Sequence, residues 1–127
     1  MKAFYKTKPA FNAYALANGD VAVCINWKEE SIVTDGTTIK MYSCERVDVS
    51  EPTADLAIEK FVRSKYSASE EFALINTYNA SISNVEKDTD KEAEYVAFLT
   101  WRKAMKEDVK TAITAYNAAN NEEEVTK

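Results

Sequence analysis

The chain of 127 residues contains no histidine, and it has only two glycines, two prolines and two cysteines. Without histidine, it lacks the side chain that most often serves as a general base or as a metal ligand. Carboxylate and lysine chemistry remain open, so this absence disfavours an enzyme without excluding one. The scarcity of glycine and proline argues against a linker or a low-complexity chain. We therefore expect one folded domain.

Sequence motifs for common chemistries are missing as well. Two cysteines are too few for a disulfide framework, and they lack the spacing of a zinc site. The chain has no glycine-rich nucleotide fingerprint, no P-loop and no nucleophile elbow. We expect no cofactor, no metal ion and no enzymatic activity.

Charge and hydropathy restrict the partners. The net charge is −5 and the calculated pI is about 4.8, so a basic surface for nucleic acid or anionic lipid is not expected. The sequence has no run of 18 apolar residues, which is about the length needed to cross a bilayer. Residues 1–9 are basic but are not followed by the apolar segment of a signal peptide, so we expect an intracellular protein. Proteins are the expected partners.

The N-terminal half, about residues 10–50, has the pattern of a small antiparallel β-meander. Asn18-Gly19 between two apolar segments predicts a two-residue hairpin turn of type I′, because both central residues of that turn type need a positive φ. That turn would place Leu16 opposite Val21 and Tyr14 opposite Val23.

The next turn, at Thr34-Asp35-Gly36, allows two registers. A two-residue loop would set Val23 opposite Asp48, whereas a three-residue loop with Gly36 in the left-handed conformation sets Val23 opposite Val47. We favour the three-residue loop, because only that register gives a continuous apolar face. This face would comprise Val21, Val23, Trp27, Met41, Val47 and Val49.

On the opposite face the favoured register predicts a cross-strand pair between Glu30 and Lys40. It places Cys24 and Cys44 diagonally, at roughly 7–8 Å between Cα atoms, which exceeds the usual disulfide range. We expect two free thiols.

The C-terminal half, residues 53–118, has helical periodicity. The first helix should span about 53–66, and capping boxes at Ser67–Glu70 and Thr89–Glu92 predict the starts of two more, which should form an antiparallel hairpin. Residues 120–127 are polar and acidic, so we expect a flexible tail after a single α+β domain over 1–119. The third helix carries an apolar stripe that Leu99 and Ile113 widen, formed by Tyr95, Phe98, Arg102, Met105, Val109, Ala112 and Tyr116.

Four residues of this helix are candidates for partner binding: Tyr95, Trp101, Arg102 and Tyr116. Arg102 is either a partly buried side chain, which extends its charged end to solvent or hydrogen-bonds Asn76 and Asn79 across the hairpin, or an anchor for an anionic ligand or a partner carboxylate. Trp101 lies off the stripe, beside small residues, so it either forms an interface or packs on the sheet. The aromatic residues otherwise suit packing in the core and between the helices. Capping and the helix dipole already account for the glutamates in the first helical turns, Glu70, Glu71, Glu92 and Glu94.

Two segments, 63–76 and 95–103, carry patterns of aromatic and helix-capping residues. In these patterns they resemble the helical C-terminal parts of small proteins encoded in phages and prophages of gut bacteria, some associated with tails or fibres. The resemblance implies a non-enzymatic structural or assembly role in a virion, with protein partners that are further copies of the chain or other virion components. A small acidic inhibitor is the alternative, which would bind a host defence protein or sequester its signalling ligand. The first function places the protein in the virion and the second in the host cytoplasm.

Overall fold

Four antiparallel strands form one sheet, and three helices follow them, which confirms the predicted α+β fold. The structure, a computed structural model, describes the backbone of residues 2–126 and the side chains of residues 2–120. In chain order the elements are β1 (Lys2–Tyr5), β2 (Ala13–Ala15), β3 (Val21–Thr34), β4 (Thr37–Val49), α1 (Ala54–Lys65), α2 (Ala68–Ile82) and α3 (Thr89–Thr126).

The strand order in the sheet is β1-β4-β3-β2. Strands β2, β3 and β4 form the predicted meander. Strand β1 was not predicted: it pairs with the outer edge of β4, with Lys2 opposite Glu45 and Tyr5 opposite Tyr42. Its four residues are too few to show a clear period in the sequence.

The hydrophobic core lies between one face of the sheet and the two helices α1 and α3. Helix α2 packs on α3 rather than on the sheet. The buried members of the core come mostly from the start of β3, the end of β4, α1 and α3. They include Val21, Val23, Val47, Val49, Phe61, Met105 and Val109.

The first turn differs from the predicted one. Ala15 pairs with Val21 and Ala13 with Val23, so the predicted pairs Leu16–Val21 and Tyr14–Val23 are wrong by one residue. The Gly19 N–H donates to the Leu16 carbonyl at 3.1 Å, and within residues 16–20 only Gly19 has a positive φ, of 91°. A single left-handed residue at the third loop position suits a three-residue loop, whereas the predicted two-residue loop of type I′ needs two.

The second turn is the one with two residues. Thr34 pairs with Thr37, and both Asp35 (φ 52°) and Gly36 (φ 76°) are left-handed, so the predicted three-residue loop is wrong. Nevertheless, Val23 does pair with Val47, as the apolar face required.

A β-bulge reconciles the turn with this pairing. The register shifts between Ile25, which pairs with Glu45, and Lys28, which pairs with Ser43, so β3 has one more residue there than β4. Asn26 takes the left-handed conformation at this point, with φ 58°. The bulge thus supplies the extra residue that we assigned to the turn.

Beyond the bulge, the predicted side-chain positions change. Glu30 pairs with Met41, so the predicted Glu30–Lys40 pair is wrong, and Lys40 instead lies 3.3 Å from the Glu29 carboxylate. Trp27 is not part of the hydrophobic core, and its ring instead packs on that of Tyr5, with ring centres 5.4 Å apart. Cys24 and Cys44 are buried, free and diagonal, as predicted.

The capping box at the start of α2 is confirmed: Ser67 Oγ accepts from the Glu70 N–H at 3.1 Å, and Glu70 accepts from the Ser67 N–H at 3.3 Å. The predicted box at Thr89 is wrong. Asp88 caps α3 instead, since its Oδ1 accepts from the backbone N–H of residues 90 and 91. The buried Ser81 hydroxyl holds Asp88 in place by hydrogen-bonding its N–H and its carbonyl.

Helix α3 buries Phe98, Met105, Val109, Ala112 and Ile113, as the stripe predicted. Leu99 does not widen the stripe, because it is 45% exposed. The helix continues to Thr126, past the predicted end near residue 118. The predicted flexible tail comprises residues 120–127. From residue 121 onward, the side chains lie outside the described part of the chain.

Candidate functional site

The outer half of the β3–β4 hairpin extends beyond the rest of the sheet. Strand β2 pairs only with residues 21–23 of β3, and β1 pairs only with residues 42–45 of β4. We call residues 29–41, from Glu29 to Met41, the ribbon. At about 3.4 Å per residue, the five residues of β4 in the ribbon span roughly 17 Å. Both outer edges of the ribbon lack a neighbouring strand among the described residues.

The ribbon also exposes apolar side chains. Val33 is 70% exposed and Ile39 is 39% exposed, whereas Ile32 and Met41 are half-buried. The remaining side chains near its tip are mainly threonines, which suit a strand. Exposed strand edges that carry β-branched residues are surfaces on which another strand can pair.

A cleft of about 630 Å³ opens where the ribbon meets the body of the protein. Phe61, Ser64 and Lys65 of α1 and Trp101 of α3 form one side. The bulge residue Asn26 and its neighbours on the sheet form the other side: Lys2, Trp27, Lys28, Ser43, Cys44 and Glu45. This volume lies within the range of small-molecule sites.

The charged groups of the cleft are only partly paired. Lys2 lies 2.9 Å from the Glu30 carboxylate, and Asn26 Nδ2 donates to Glu45 at 2.7 Å. Within residues 2–120, Lys28 and Lys65 have no carboxylate at salt-bridge distance. The Lys65 ammonium instead lies 4.6 Å from the centre of the Trp101 ring, a cation–π geometry. The cleft is therefore lined by two lysines without a carboxylate partner in this part of the chain, and one of them, Lys65, lies beside an indole.

On the other face of the sheet, two tyrosines and an arginine form a hydrogen-bonded network. The Tyr5 and Tyr14 hydroxyls are 2.6 Å apart, and Arg46 Nη1 donates to them at 3.1 Å and 3.2 Å. Asp48 accepts two hydrogen bonds from the same guanidinium, at 2.7 Å and 3.2 Å. The Cys24 thiol lies 3.7 Å from the Tyr5 hydroxyl.

Tyr5, Cys24 and Cys44 are held in their protonated forms at neutral pH. Burial and the hydrogen bond to Tyr14 raise the pKa of Tyr5 well above its usual value. Burial likewise raises the pKa of Cys24, and it raises the pKa of Cys44 to about 12. A thiol becomes a nucleophile by losing its proton, so neither cysteine is activated. We interpret the network as structural.

The four residues selected from the sequence do not form one site. Trp101 lines the cleft and also packs against the core, beside Tyr66 and Phe98. Tyr95 stacks on Tyr78 of α2, with ring centres 4.6 Å apart. Tyr116, near the other end of α3, packs against the core and is half-buried.

Arg102 lies elsewhere, in a groove along α3 with Leu99, Lys103, Lys106, Glu107 and Lys110. Arg102 is half-buried and, within residues 2–120, forms no hydrogen bond with Asn76 or Asn79. Its role as an anchor for an anionic ligand or a partner carboxylate stays a prediction. The groove makes this stretch of α3 basic in an otherwise acidic chain.

The ribbon and the cleft were missed at the sequence level. The ribbon could have been recognised from the length of the two apolar segments around Asp35-Gly36, which exceeds that of their neighbours. Lys65 and Asn26 gave no signal, since only the fold brings them together. Within the described residues, no three carboxylate or thiol side chains are close enough to share a metal ion, and no helix is long and apolar enough to span a membrane.

Comparison of the chain with protein-family models, with curated proteins and with solved structures gives no match.

Proposed function

We propose that this chain is a non-enzymatic structural or assembly protein of a phage particle, which acts by binding proteins through its ribbon. The observation that carries the proposal is the extension of the ribbon beyond β1 and β2, with both edges unpaired among the described residues. The phage context comes from the resemblance of segments 63–76 and 95–103.

The energetics of a ribbon support a binding role. A two-stranded ribbon on its own is only marginally stable in water, because little apolar surface is buried and one edge of each strand stays open. A partner strand would supply main-chain hydrogen bonds and cover Val33 or Ile39, which water now contacts. A protein that only needed to fold would gain little from this extension.

Particle composition tests this function. Phage particles propagated with the intact gene should contain the protein when they are purified and analysed by mass spectrometry. Particles propagated with a gene in which Ser31–Met41 is replaced by a short turn should contain much less of it, at equal expression. The matched control is Phe72→Ala, which removes a 65% exposed side chain on α2, away from the ribbon, and should not alter incorporation. Absence of the intact protein from the particles would refute the structural role.

The cleft favours a second function, the inhibitory one. Lys28, Lys65 and Trp101 could hold a small anionic aromatic signalling ligand and so keep it from a host defence protein. Two ammonium groups would neutralise the anion, and the indole would contact an aromatic ring.

Tryptophan fluorescence tests the second function. In a Trp27→Phe background, only Trp101 reports, and adenosine monophosphate should change its emission in a saturable way. Lys65→Gln should abolish that response, whereas Lys110→Gln, in the groove along α3, should not. If the nucleotide gives no response and the protein is present in particles, the inhibitory function is refuted and the structural role remains.

A further inference from the structure

The direction of the hydrogen bonds along β4 determines which groups face the open edge. Thr34 and Thr37 flank the two-residue turn, so they form a pair that exchanges both backbone hydrogen bonds. From Thr37, every second residue of β4 points its N–H and C=O toward β3. Thr38 and Lys40 therefore direct theirs outward. The same alternation reaches Tyr42 and Cys44, which face Tyr5 and Ala3 of β1.

The two edges of the ribbon differ in charge. The outer edge of β3 carries Glu29 and Glu30, and charged residues of this kind discourage pairing with another strand. The β4 edge carries one charge, Lys40, whose ammonium lies 3.3 Å from the Glu29 carboxylate. The other residues of the β4 edge, Thr37, Thr38, Ile39 and Met41, are uncharged. Both edges are open, and the edge of β4 is the less charged of the two, so it is the better suited to pairing.

This edge is self-complementary. We propose that a second copy of the chain pairs antiparallel with it, about a two-fold axis through Ile39. Thr38 of each copy would then exchange two backbone hydrogen bonds with Lys40 of the other copy, which satisfies all the outward groups of 37–41. The two Ile39 side chains would meet at the axis, where antiparallel strands approach most closely. The pairing rests on the proposed protein-binding role of the ribbon, and it identifies the partner as the same chain.

The end of β1 sets the length of the paired segment. Strand β1 occupies the β4 edge up to the Tyr5–Tyr42 pair, which leaves residues 37–41 open. An axis at Ile39 pairs those five residues with the same five of the other copy. The turn of the second copy, Asp35-Gly36, then lies next to the end of β1. Any other antiparallel register leaves part of the open edge unpaired or overlaps β1.

Introducing a charge of either sign at Ile39 tests both the pairing surface on β4 and the register of the two copies. Ile39→Glu and Ile39→Lys each place like charges against each other at the axis, so each should weaken dimerisation by about tenfold or more. An equimolar mixture of the two variants should dimerise again, since the charges then attract. Sedimentation equilibrium measures the association, and circular dichroism confirms that each variant is folded.

Proline substitution provides the matched control for the edge. Thr38→Pro removes one outward N–H from β4, and Ser31→Pro removes one from β3, whereas neither removes a bond between the two strands. Thr38→Pro should dissociate the dimer and Ser31→Pro should leave it intact. A monomeric wild-type protein would overturn the proposal, as would a dimer unaffected by the Ile39 and Thr38 substitutions.

Failure of the pairing and failure of the proposed function give different results. If the protein is present in particles but does not dimerise through residues 37–41, another partner uses the ribbon and only the pairing is wrong. If the dimer forms as described but particles lack the protein, the pairing stands and the structural role is wrong.

Discussion

Deletion of Asn26 should leave the fold and all the strand pairings unchanged, which is unusual for a deletion inside a strand. Removing one residue from a regular strand turns all the following side chains to the opposite face. Here Asn26 and Trp27 together lie opposite Cys44, so one residue is supernumerary. Without Asn26, Trp27 alone faces Cys44, and the pairs on either side of the bulge are retained.

The expected change in stability is small because two effects oppose each other. A non-glycine residue in the left-handed conformation costs about 1 kcal/mol or more, and the deletion removes this cost at φ 58°. The deletion also removes the exposed hydrogen bond from Asn26 to Glu45, which contributes about 0.5–1.5 kcal/mol. We expect the free energy of unfolding to change by no more than about 1 kcal/mol in either direction.

Deletion of Ser31 is the matched control. It also shortens β3 by one residue, but no bulge compensates, so either the Thr34–Thr37 pair or the pairing nearer the body must break. Urea unfolding should show a loss of about 2 kcal/mol or more for this variant. For the Asn26 deletion, Hα–Hα contacts in NMR spectra should persist between Cys24 and Arg46 and between Glu29 and Tyr42. Loss of the second contact would refute the account of the bulge.

Four further predictions concern the core, the ribbon turn and the thiols. Met105→Ala should lower the free energy of unfolding by about 2–5 kcal/mol, because the side chain is 2% exposed and leaves a cavity; Lys103→Ala is the control, and equal effects would contradict this assignment. Gly36→Val should cost about 1 kcal/mol or more in urea unfolding, since φ is 76°, whereas Gly36→Asn should be nearly neutral. Cys24 and Cys44 should both be alkylated slowly by iodoacetamide until urea is added, and a mass two units low without reductant would refute the free thiols. Because the pKa of Cys44 is raised from 9.0 to about 12, its contribution to stability is complete below pH 9 and is lost as the pH rises toward 12; Cys44→Ala should reduce this loss.

The sequence determined the elements whose signals are local and repeated. Helix α1 and the start of α2 follow from periodicity and from the Ser67–Glu70 capping box. The pairing of Val23 with Val47 follows from the need for a continuous apolar face, and it held although the turn that was meant to produce it was wrong. Among the candidate site residues, only Trp101 proved to line the cleft.

Tertiary structure decided how the extra residue of β3 is accommodated. Asn18-Gly19 and Asp35-Gly36 both permit left-handed residues, so local sequence alone does not fix which loop has two residues and which has three. The near halves of β3 and β4 must bury valines against α1 and α3, and this requirement moves the extra residue to Asn26. Strand β1 then ends at Tyr5, leaving the ribbon open, and α1 and α3 place Lys65 beside Trp101. Each of these positions depends on contacts between residues distant in the chain. Hydrophobic periodicity and short motifs are local, so they do not predict such contacts.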